Sequence, residues 1–143
     1  MYSPGLIFPL SKPTKEDAQL LLQLEQMLLM EPNQRALHWF WRVFYPRKIS
    51  DISKIREIYP STSEGSMYLD RLSAFWESAG ALVNNGLLNE QLFFDRFLVK
   101  PYWEALKIVI FADREETKEP RIGENFEVLA RKEVAWRERT PPR

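Results

Sequence analysis

His38 is the one histidine of the chain, and it sits among aromatics in Ala36-Leu37-His38-Trp39-Phe40-Trp41-Arg42. A hydroxyl nucleophile served by a histidine base needs a serine held forward in a strained elbow, and no Gly-x-Ser-x-Gly pattern occurs. A carboxylate-bridged di-metal centre between helices needs two Glu-x-x-His helices and two further glutamates, which a single histidine cannot supply. His38 is therefore expected as a partly buried packing residue that hydrogen-bonds a neighbour. A cleft enzyme built around His38 with Glu77 or Glu104 is kept as an alternative. The chain has no cysteine, which removes disulfides, thiolate metal ligands and cysteine nucleophiles from its inventory. Its five glycines are not clustered into a phosphate-cradling loop, and its acids are scattered. No catalytic residue, cofactor or metal ligand is assigned.

Segment 35–48 interleaves Arg35, His38, Arg42, Arg47 and Lys48 with Trp39, Phe40, Trp41, Phe44 and Tyr45. Aromatics alternating with cations are the composition of a stacking surface for single-stranded nucleic acid. The same residues at helical spacing also read as an aromatic core face with snorkelling arginines, and that reading is preferred because exposed aromatic clusters are uncommon on monomers. Any part left exposed suits a protein partner better than a nucleic acid, since Trp, Tyr and Arg dominate interface hot spots. Arg35, His38, Trp39, Arg42, Arg47 and Lys48 are accordingly the candidate interaction surface. Ala74, Ser78 and Ala81 are small residues at helical spacing that would let two helices approach closely, with packing inside the fold preferred over a homodimer seam. The Asn84-Asn85-Gly86 turn between two helices is not a DNA-reading motif. Its second helix would offer base edges Phe93, Phe94 and Asp95, where polar and basic side chains are required.

Helices must position these residues. Thr14 with Asp17 three residues later is a capping box with a shortened acid, opening a helix that runs to about Met30 through a wide apolar face. Pro32 is read as closing it, with Asn33 capping a second helix over 34–44 that Pro46 ends. Asp51 caps a short helix ending before Pro60, and 61–66 is loop by composition. Leu69, Leu72, Phe75, Trp76, Ala79, Leu82 and Val83 mark the clearest helix, which Asn84-Asn85-Gly86 stops. Asn89 caps the next. Helix 102–114 is apolar on nearly all sides and is expected to be the most buried. A charged linker 113–121 then leads to a last amphipathic helix over 124–139. No run alternates long enough for a strand, so the fold class is all-α: a compact bundle of six or seven helices with short connections.

Phe75-Trp76-Glu77 with Gly80, then Asn85-Gly86-Leu87-Leu88, Tyr102-Trp103-Glu104 and Asn125-Phe126-Glu127 follow one another in order. This succession resembles a family of small bacterial helical domains of unknown function, over residues 67–130. The resemblance implies an all-α fold and imports no catalytic residue. Many members of that family carry a membrane-spanning helix ahead of the domain, whereas the apolar stretches here are too short to span a bilayer.

At 143 residues, 45% hydrophobic and 28% charged, the chain can bury one core and is not disordered as a whole. A single domain over 14–139 is expected, between an N-terminal extension 1–13 and a tail 140–143. Twenty basic and twenty acidic residues cancel, which argues against a global field for polyanions. The zero hides an asymmetry: residues 31–60 sum to +3 and residues 61–100 to −2. That pattern favours electrostatic pairing within the fold or between copies. The expectation is a cytoplasmic, non-enzymatic protein-interaction or scaffolding module, with self-association as one form. Weak binding of single-stranded nucleic acid through 35–48 is the alternative.

Overall fold

The computed structural model describes residues 11–143, and its seven helices agree with the all-α reading. They are α1 (Lys15–Leu29), α2 (Glu31–Trp39), α3 (Ile52–Ile58), α4 (Glu64–Asn84), α5 (Glu90–Arg96), α6 (Lys100–Thr117) and α7 (Glu124–Arg139). There is no strand among the described residues. The capping reasoning holds at α1, where the Thr14 hydroxyl accepts from the Asp17 backbone N–H while the Asp17 carboxylate accepts from Thr14 N at 2.7 Å. Asp51 and Asn89 cap α3 and α5 through Ser53 N and Leu92 N, and Gly86 takes the left-handed conformation (φ 74°) beyond α4.

Four local expectations are corrected. Pro32 opens α2 instead of separating it from the preceding helix: it lies in the first turn, where a missing N–H costs nothing, and Met30 stands at the cap position. Asn33, expected as a cap for its own helix, instead donates from Nδ2 to the Met27 carbonyl, and Gln34 Nε2 donates to the Leu28 carbonyl, so both satisfy the end of α1. Ser63 starts α4 inside what reads as a loop, its hydroxyl accepting from Ser66 N. The linker from 113 is shorter than expected, because α6 continues to Thr117 and ends on Lys118 in the left-handed conformation.

α4 forms the axis, packing most extensively against α7 on one side and α2 on another. Eight of its residues are buried, from Gly65 to Val83, whereas α6 buries only Tyr102, Trp103, Leu106 and Ile110 and leaves Phe111 43% exposed. The expectation that α6 is the most buried helix is therefore wrong: its all-round apolar surface is not matched by neighbours on all sides. Trp76, fully buried, holds the centre against Tyr102 (ring centroids 4.8 Å), Phe97 (5.8 Å) and Phe126 (6.5 Å). No described helix is long and apolar enough to cross a membrane.

Candidate functional site

Segment 35–48 does not present one face. After Trp39 the backbone widens into a π-helical turn, Phe40–Phe44, and then tightens into a 3₁₀ turn, Tyr45–Arg47, where Pro46 cannot donate. Phe40 and Phe44 are buried, as an aromatic core face requires, whereas Trp41 stays 40% exposed. Trp39 is half-buried between Phe44 (5.3 Å), Tyr59 (5.1 Å) and Tyr68 (5.5 Å), and Trp41 donates its indole N–H to the Tyr102 hydroxyl at 2.9 Å. Burial pushes the Tyr102 phenol above its ordinary range, against a smaller opposing effect of that hydrogen bond. Arg47 and Lys48 lie over the rings of Tyr59 and Tyr45. The rings are thus engaged with one another and with their own cations. His38 is exposed, correcting the expectation of a partly buried packing residue, because α2 turns that side chain away from α4. It does not meet the other cleft residues either: Glu77 is hydrogen-bonded to the start of α7, and Glu104 pairs with Lys107 at 2.7 Å.

Ala74 and Ser78 face away from the internal crossing expected of them. Ala74 and Ser78 are exposed and Ala81 is half-buried. The close contact between helices is made one residue earlier, at Gly80, where a Cβ would stand 2.4 Å from the Asn125 carbonyl oxygen of α7. With their side chains unneeded inside, Ala74 and Ser78 line a surface cleft of about 460 Å³ together with Met27, Asn33, Met67, Asp70, Arg71 and Phe75. A second cleft of about 380 Å³, between Glu31, Pro32 and Arg35 of α2 and Glu64, Tyr68 of α4, shares Met67 and Arg71 with the first. The two form one groove along the outer side of α4 from Glu64 to Ser78, about 21 Å at the helical rise. Its exposed apolar members are Met67, 60% exposed, and Met27 of α1, 41% exposed, set among the charged side chains of Glu31, Arg35, Glu64, Asp70 and Arg71. Arg35, Ala74 and Ser78 are the sequence-selected residues that the groove brings together; Met27, Met67, Asp70 and Arg71 were missed. Their signal was the spacing of Met67, Arg71, Ala74 and Ser78, alternately four and three residues apart and out of phase with the buried stripe of α4.

The succession of aromatic, Glu, Gly, Tyr-Trp and Asn-Phe residues is explained by packing. Glu77 of α4 accepts from Asn125 Nδ2 at 2.9 Å and from Phe126 N at 3.0 Å, so a carboxylate from one helix satisfies the first turn of another. Asn84 adds a hydrogen bond to the Asn125 carbonyl at 3.1 Å, and Gly80 allows that approach. Over a longer span, residues 15–133 match the family described as a domain of unknown function, DUF4760. The chain belongs to this family. No curated protein and no solved structure matches it. The DUF4760 span opens with the first residue of α1 and closes on Glu133, which α7 buries almost completely. Glu133 accepts from Val99 N (2.9 Å) and Lys100 N (2.7 Å) at the start of α6, and pairs with Arg137 at 3.0 Å. All residues lining the groove also fall within the DUF4760 span.

A further cleft of the DUF4760 domain, about 530 Å³, gathers Asp70, Asp113 and Glu116 around Arg56. Burial raises the Asp113 carboxyl against the pull of Arg56, and Asp70 is raised by burial too, while the Arg56 hydrogen bond holds Glu116 below its ordinary range. No group of three His, Asp or Glu side chains suited to a metal ion occurs among the described residues.

Proposed function

We propose that this DUF4760 domain works by protein contact, through the groove along α4. The supporting observation is the coincidence of an elongated cleft with large apolar side chains left in solvent, Met67 and Met27, both of which line it. Such side chains scattered singly would need no explanation, but a concave apolar stretch rimmed by charges has the anatomy of a docking surface. The small side chains of Ala74 and Ser78 keep the floor shallow enough for a helix to lie against it. The mutual packing of the aromatics in 35–48 makes a nucleic-acid stacking platform the weaker reading.

The absence of cysteine makes the test clean, because a single introduced thiol is the only site a thiol-reactive photocrosslinker can label. Placed at Met67→Cys, the crosslinker is expected to give discrete protein adducts that a second change, Ala74→Arg, abolishes. The same label at Val134→Cys on α7, 45% exposed, should give none. Equal labelling at the two positions, or adducts at Met67 that survive Ala74→Arg, would remove the groove from consideration.

A further inference from the structure

The groove carries a charge pattern that its own chain leaves uncompensated. Glu64 and Arg71 stand seven residues apart on the same side of α4, with Met67 between them, and all three are exposed. Neither charge has an ion-pair partner among the described residues: Arg71 reaches only Asn33 Oδ1, at 3.4 Å, and Glu64 makes no side-chain hydrogen bond. Glu31 at the same groove is matched within the chain by Arg35, whereas Asp70, beside Arg71, likewise has no ion-pair partner among the described residues.

We infer that the N-terminal half of α4 is a two-fold interface for a second copy of this chain, crossing antiparallel at Met67 with Glu64 of each copy beside Arg71 of the other. This rests on the reading of the groove as a docking surface and names its occupant. In an antiparallel pair, positions whose numbers share one sum lie opposite each other, and the two-fold keeps each flank of one helix against the same flank of the other. An axis between positions 67 and 68 sets Glu64 opposite Arg71 twice, on the flank that both residues share. It also brings the two Met67 side chains together at the centre, where an unbranched thioether adapts to an approximate fit. A shift of the axis by one helical turn toward the C-terminus would place Arg71 near Arg71, so the charges select one register. Met27 of α1, which lines the same groove, then extends the contact.

Sedimentation equilibrium of the full chain over a roughly hundred-fold concentration range reads the outcome directly. The wild-type chain should pass from monomer to dimer, and raised salt should weaken the dimer. Arg71→Glu and Glu64→Arg should each weaken dimerisation at least about ten-fold by setting like charges together, and the double variant Glu64→Arg/Arg71→Glu should recover it. Recovery cannot arise from misfolding. Each variant's helical circular dichroism is compared with wild type, so that only folded variants count. A wild-type chain that stays monomeric throughout, or a folded double variant no better than the single ones, overturns the inference. If the chain is monomeric while the Met67 crosslinker captures a different protein and Ala74→Arg prevents it, the second copy is wrong and the docking groove stands. If nothing is captured either, both fail.

Discussion

Glu133 gives the sharpest test of how this fold is held together. Its carboxylate, 1% exposed, lies on α7 and ends on the two backbone N–H groups that open α6, Val99 N at 2.9 Å and Lys100 N at 2.7 Å. Those donors have no carbonyl of their own helix to reach, and the positive end of the α6 dipole faces the charge. Replacing Glu133 by Gln keeps the volume and one acceptor oxygen, but turns an NH₂ group toward the other donor. One hydrogen bond to a charged group, about 1.5–3 kcal/mol, is lost, and the remaining one is weakened to a neutral bond. Arg137 loses its partner as well, at small cost because its side chain is 42% exposed. The expected loss for Glu133→Gln is about 2–4 kcal/mol. Glu133→Ala leaves both donors unsatisfied and opens a cavity, so its loss should reach the ~3–5 kcal/mol typical of broken buried pairs. Against a total stability of about 5–15 kcal/mol, the alanine variant stands near the limit of folding.

Urea unfolding followed by tryptophan fluorescence measures this, since Trp76, Trp103 and Trp136 are buried in the bundle. Each kcal/mol should also lower Tm by roughly 2–4 °C in a domain somewhat larger than this and slightly more here. Glu138→Gln, on the exposed side of the same helix, is the control and should stay within about 0.5 kcal/mol of wild type. If Glu133→Gln behaves like that control at an unchanged m-value, the carboxylate does not hold α6 and the account of the α6–α7 contact is wrong.

Gly80→Ala should destabilise by about 1–3 kcal/mol even though alanine is the better helix former by about 1 kcal/mol, because its Cβ meets the Asn125 backbone at 2.4 Å. A neutral or stabilising result by thermal melting would mean that α4 and α7 can separate freely. Asp17 has its carboxyl held below the ordinary range, chiefly by the Thr14 N–H and also by Asn89 N, against the effect of burial. A lowered folded-state value means its contribution is complete above the unfolded value near pH 4 and disappears as pH falls through the folded one. The stability gap between wild type and Asp17→Asn should therefore close below about pH 4, and a gap that stays constant into strong acid refutes the linkage. Arg56→Ala should cost no more than about 1 kcal/mol, since its pairing with Glu116 is largely exposed, and chemical denaturation would reveal a larger role.

Features decided within a few residues are legible in the sequence. The Thr14–Asp17 box, the Asn89 cap and Gly86 are local transactions, each completed inside one turn, and each is where the pattern places it. Pro32 is ambiguous in sequence because a proline stops one helix and opens the next by the same property, its missing N–H, and the outcome depends on where the donors of α2 begin. Leucines 22 and 29 belong to an apolar run that reads as core, yet they are 61% and 68% exposed, because apolarity states a demand for neighbours without supplying them. The same reason left Phe111 of α6 in solvent.

Glutamates show where local reading ends. Glu77, Glu133 and Glu64 all occur on helices flanked by polar and apolar residues alike, and nothing within four positions distinguishes them. Glu77 and Glu133 are committed to helix starts 49 and 34 residues away in the chain, contacts that only the folded topology can form. Once those contacts are made, the carboxylate oxygens are engaged within the fold, Glu77 at the start of α7 and Glu133 at the start of α6. Glu64 differs by what it lacks. It stands with Arg71 on a groove whose apolar members are equally unmatched, and burying Met67 against another surface would also bring both charges out of water. Such burial is tolerable only if each charge meets its opposite, so the surface able to cover this groove must carry a base where Glu64 points and an acid where Arg71 points. The chain itself carries that arrangement, on the same helix and at the same spacing, once it is turned end for end.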